Sequence, residues 1–106
     1  MLKKIYNEVT REWDTSVEEA LKSFIRLPAL SPDFDKKWEE NGVLLKALEE
    51  AKAWAEKQGI KGLRCEIIKD DGFTPCLFIE VDATSDKKFE RSVFFYGHLD
   101  KQPPTE

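Results

Sequence analysis

Val93-Phe94-Phe95-Tyr96 is apolar at every position, so both faces of an extended chain there are apolar. A strand of that kind has to be covered on both sides, which antiparallel surface sheets do not provide and helix-flanked sheets do. The run therefore predicts a central buried strand over Ser92 to Tyr96 and an α/β architecture around it.

The residues before it supply the expected covering layer. Leu2, Ile5, Tyr6, Val9, Trp13, Val17, Ala20, Leu21 and Phe24 recur at three- and four-residue intervals and stay in phase on one helical face. Asp14-Thr15-Ser16 interrupts with poor helix formers, and Ser16 with Glu19 has the spacing of a capping box. One long helix or two coaxial ones are expected, ended by Pro28 and Pro32, because proline disfavours a helical residue before it and has no amide to donate. A second helix is expected from about Asp35 to Gln58, with Leu44, Ala47, Leu48, Ala51, Trp54 and Ala55 as its buried stripe and Gly59 as its stop. Asn41-Gly42 could split off a first short turn carrying Trp38, since glycine inside a helix costs about 1 kcal/mol.

After Lys61-Gly62 the period becomes that of strands. Leu63 to Lys69 and Pro75 to Val81 flank a turn at Asp70-Asp71-Gly72 and read as an antiparallel hairpin. Asp86-Lys87-Lys88 is a polar connection to the central strand. The expected fold is thus α/β, two long N-terminal helices on a small mixed sheet made of the hairpin and the buried strand, in one domain spanning residues 1–106. In a hairpin closed by that turn Cys65 lies opposite roughly position 80 and Cys76 opposite roughly 69, so the two cysteines should not pair. Without a CxxC spacing they read as buried free thiols.

Composition limits the partners. Apolar residues make up 41% and charged residues 36%, the balance of a folded globular chain. A net charge of -4 with no basic stripe argues against a nucleic-acid surface. The N-terminus carries no apolar stretch of the signal-peptide kind, and no segment approaches the 18 apolar residues of a membrane span, so a cytoplasmic location is expected.

The predicted central strand ends in Gly97-His98-Leu99-Asp100, at the carboxyl edge where open α/β sheets hold their ligands. Gly97 permits close approach of a ligand or backbone. His98 supplies an imidazole able to bind zinc when neutral, and Asp100 has the same side-chain parity and can accept the other ring N–H. On these grounds alone a structural, hydrogen-bonded histidine is the competing reading. Asp33 with Asp35 and Asp70-Asp71 sit in cap or turn contexts that favour aspartate for local hydrogen bonding. Trp13, Trp38 and Trp54 lie beside apolar stripes and read as packing residues.

The longer string from Val93 through Gly97-His98-Leu99-Asp100 to Lys101-Gln102-Pro103 resembles the metal-binding strand of the aminoacylase, carboxypeptidase and carnosinase family of di-zinc exopeptidases, peptidase family M-twenty. Phe24 to Pro32 is similar to the helix end and loop that open this family, with departures at Leu27, Ala29 and Leu30. Trp38 to Gly42 and the Lys-Gln-Pro ending look more like its dipeptidase and carnosinase branch. The resemblance implies that His98 is the first zinc ligand and that Asp100 is the catalytic-site acid that orients it without coordinating. It also implies a two-zinc site whose bridging aspartate, general-base glutamate and other ligands lie beyond residue 106. In such a family zinc polarises a carbonyl and activates water, a glutamate serves as base, and the substrates are dipeptides or N-acyl amino acids.

Two expectations follow. The first is an N-terminal piece of a zinc metallopeptidase, inactive by itself and not holding zinc stably, because catalytic zinc takes three protein ligands and the sequence has a single histidine. The second is a non-catalytic module that associates with itself or a partner through exposed strand edges.

Overall fold

The computed structural model describes residues 1–85 and 91–105. The N-terminal amphipathic run is helical from Leu2 to Arg26, as α1 (Leu2–Glu12), a π-helical turn (Trp13–Val17) and α2 (Glu18–Arg26). The irregularity expected at Asp14-Thr15-Ser16 is therefore a widened turn inside a continuous helix. Ser16 does not start a new one: the Glu18 N–H reaches back to the Trp13 carbonyl, and the Ser16 hydroxyl instead accepts from Trp54 Nε1 at 3.1 Å.

The expected second helix divides at Gly42. A single turn, α3 (Trp38–Asn41), ends on Gly42 at φ 67°, and α4 (Val43–Glu56) starts after it. Asn41 stabilises the junction: its Oδ1 accepts from the Val43 N–H at 3.0 Å while its Nδ2 donates to Asp35 at 2.6 Å. Asp35 Oδ1 also accepts from the Lys37 N–H, the local role expected of it.

Strands β1 (Leu63–Ile68) and β2 (Cys76–Val81) form an antiparallel hairpin with Cys65 opposite Ile79 and Ile68 opposite Cys76, one position from the expected register. Both cysteines are free thiols, but neither is buried as expected: Cys65 is half-buried and Cys76 exposed, since α4 covers the hairpin only in part. Gly62, at φ 79°, admits the close return of Asp82, whose Cβ would lie 3.0 Å from any Cβ added at Gly62. Arg64 spans the strand ends, bonding Asp82 at 2.8 Å and Glu80 at 3.4 Å; Asp82 first and then Glu80 raise its pKa above the ordinary value.

Packing centres on the first two turns of α4. Leu44, Ala47 and Leu48 are buried there, joined by Ala29 from the loop after α2, with Phe24, Leu27, Trp38 and Val43 against them. The rest of the expected α4 stripe is more open: Ala51 and Ala55 are half-buried and Trp54 is exposed. No residue of α1 is buried, so its apolar face is solvent-exposed. The radius of gyration of 16.6 Å exceeds the ~13 Å typical of a compact chain of this length, consistent with a projecting helix.

The central buried strand is not formed. Residues 92–96 belong to no strand, the sheet has two strands among the described residues rather than a mixed set, and Val93 to Tyr96 are 80–89% exposed. The physical reason is that apolarity on both faces specifies burial but provides neither a hydrogen-bonded neighbour nor a second covering layer. Among the described residues one helical layer, α4, packs on the hairpin, and the run lies outside that contact. The only parallel pairing found among them is an isolated bridge between Leu30 and Lys101. The chain is accordingly a mixture of helices and a small two-stranded antiparallel sheet, with a long N-terminal helix. The polar connection at Asp86-Lys87-Lys88 lies outside the described residues.

Candidate functional site

Lys101 fixes the chain after the exposed run. Its N–H donates to the Ala29 carbonyl and its carbonyl accepts from the Ser31 N–H, both at 2.9 Å. The loop it grips is where Pro28 ends α2 and leaves carbonyls without helical partners. The Lys101 ammonium donates to the Phe24 carbonyl, to the Leu27 carbonyl at 2.5 Å and to the Ile25 carbonyl at 3.4 Å, and lies 4.1 Å from the Phe24 ring centroid. Burial pushes its pKa below the ordinary value, while the Glu50 carboxylate acts in the opposite direction.

From this anchor the preceding residues form one wall of a cleft of about 540 Å³. Its floor is apolar, from Leu44, Ala47 and Leu48, and its far side is the beginning of β2. His98 and Asp100 contribute the polar groups of the wall. His98 Nδ1 lies 3.0 Å from Asp100 Oδ1 and 3.1 Å from the Asp100 carbonyl oxygen. A carbonyl oxygen can only accept, and an ionised carboxylate likewise, so both contacts require Nδ1 to carry the proton. In the neutral ring the lone pair then sits on Nε2, and the side chain is 72% exposed.

The two residues singled out from the sequence are therefore together, with Asp100 acting on the ring nitrogen opposite the one left for a ligand. This is the arrangement by which carboxylates orient metal-binding histidines. Gly97 is beside them, and apart from its two chain neighbours no atom lies within 4 Å of where a Cβ would project. Asp33, Asp35, Asp70 and Asp71 are not part of the cleft lining. Among the described residues no group of three or more His, Cys, Asp or Glu side chains is placed to hold a metal ion. The donor set thus fits one zinc ligand and its orienting partner, and does not by itself fit a catalytic zinc, which takes three protein ligands.

Lys101 was not among the candidates read from the sequence. The unpaired carbonyls at the Pro28 helix end signal that a donor is needed, but nothing local indicates that it comes from a residue 74 to 77 positions later.

No family model matches the chain, and no curated protein matches it. Among the described residues no helix is long and apolar enough to cross a membrane.

Proposed function

We propose that the chain is a portion of the catalytic domain of a cytoplasmic zinc-dependent metallopeptidase of the dipeptidase or N-acyl amino acid hydrolase type. In this reading it supplies the first zinc ligand, His98, and the acid that orients it, Asp100. The observation that carries the reading is the doubly accepted Nδ1 of His98, which leaves Nε2 as the basic nitrogen at the edge of a cleft. A bound zinc would supply Lewis-acid polarisation of a scissile carbonyl and a lowered pKa for water. What the residues of this chain do is narrower. Asp100 holds the ring in one tautomer, and the apolar floor at Leu44, Ala47 and Leu48 offers a surface for an uncharged part of a dipeptide or acyl substrate.

The site needs further metal ligands and a general base, so the 106-residue chain alone is inactive. Incubation of the purified chain with zinc and a panel of dipeptides and N-acetyl amino acids is expected to give no hydrolysis above that of zinc alone. Turnover that disappears in His98→Ala would overturn the claim of inactivity while supporting the role of His98.

A second reading is favoured by the exposure of Val93 to Tyr96 and by a hairpin that, among the described residues, has no third strand. Apolar extended segments and unpaired strand edges promote pairing between chains. In that reading the chain is a non-catalytic module that associates with a second copy. Light scattering showing a monomer throughout the micromolar range would contradict it.

A further inference from the structure

We infer that Lys101 is a positioning residue for the His98–Asp100 pair, setting the direction of the Asp100 carbonyl and through it the His98 tautomer. The inference rests on the reading of that pair given above and deepens it.

The Asp100 carbonyl and the Lys101 N–H belong to one planar group, so whatever holds the N–H aims the carbonyl in the opposite direction. The Lys101 N–H is held by the Ala29 carbonyl at 2.9 Å. Ala29 is fully buried within the small core, which makes it a fixed partner. The Asp100 carbonyl, thus aimed, accepts from His98 Nδ1 at 3.1 Å alongside the carboxylate.

The side chain of Lys101 secures this bond. An ammonium has three N–H donors, and here three carbonyls, of Phe24, Ile25 and Leu27, surround it at the end of α2, with the Phe24 ring adding a cation–π contact. Exposed chain precedes His98, and three residues after it the chain is clamped at Lys101. Without the ammonium, the backbone pairing at Leu30 and Lys101 would be a lone bridge attached to a segment with no other strand partner among the described residues.

The test uses metal-free, nitrogen-15-labelled chain at mildly alkaline pH and long-range proton–nitrogen spectra that distinguish the two ring nitrogens. The wild type is expected to show Nδ1 protonated. Lys101→Met, which keeps the apolar stem and the Asp100 carboxylate, is expected to weaken that preference, the two nitrogens moving part of the way toward averaged values while the cross-strand amide signals of the β1–β2 hairpin stay in place. Lys101→Arg, which restores a donor cluster, is expected to recover the wild-type pattern. Retention of the Nδ1-protonated pattern in Lys101→Met would overturn the inference. So would loss of the hairpin signals in the same variant, which would make Lys101 a general structural residue, or failure of Lys101→Arg to recover the pattern. Because no metal is added, these outcomes are separate from whether His98 binds zinc.

Discussion

His98 Nδ1 and Asp100 Oδ1 are 3.0 Å apart, and the backbone carbonyl of the same aspartate lies 3.1 Å from the same nitrogen. Two acceptors on one ring nitrogen leave no ambiguity about which nitrogen carries the proton. The other, Nε2, belongs to a side chain that is mostly exposed.

Replacing Asp100 with alanine removes the charged acceptor but keeps the carbonyl. The carbonyl alone should then favour the Nδ1-protonated tautomer less strongly, and the affinity of the ring for zinc should fall by about 10- to 100-fold, the usual effect of losing a partner that orients a metal-binding histidine. Zinc titration followed at the histidine ring signals of wild type and Asp100→Ala measures the difference.

The packing makes an equally specific demand. Leu44 is buried in the cluster around Ala29 and Ala47, whereas Ile5 on α1 is exposed. Leu44→Ala should destabilise the chain by about 2–5 kcal/mol, and Ile5→Ala by no more than about 0.5 kcal/mol. Urea unfolding monitored by tryptophan fluorescence gives both values. Similar losses for the two variants would mean that α1 is packed against something in solution.

Lys101 predicts a pH dependence of stability. Burial holds its pKa below the ordinary value of 10.5, with Glu50 opposing. Between the lowered folded value and 10.5 the unfolded chain binds more protons than the folded one, so this group adds stability as pH rises through that window and withdraws it as pH falls back. Lys101→Met should flatten that part of the stability curve. An unchanged slope between neutral pH and pH ~10 would show that the side chain titrates alike in both states.

Much of the architecture was legible because it is local. The stripe from Leu2 to Phe24 gave a helix, Asn41-Gly42 gave a break, and the turn at Asp70 to Gly72 gave a hairpin within one position of its register. Each is decided by residues a few positions apart. The strand over Ser92 to Tyr96 failed because pairing and coverage are supplied by distant segments, and an apolar run records only the need for them. Proximity of His98 to Asp100 was readable from a separation of two residues. The clamp by Lys101 was not, since its partners lie at the end of a helix more than 70 residues earlier and any basic side chain could have met that need.

The most direct test of the account is to add excess zinc to the labelled chain and follow the two ring nitrogens of His98. The account predicts weak binding that perturbs Nε2 and leaves the proton on Nδ1. Zinc that displaces the Nδ1 proton, or leaves both nitrogens unmoved at large excess, would contradict the assignment of His98 as a zinc ligand oriented by Asp100.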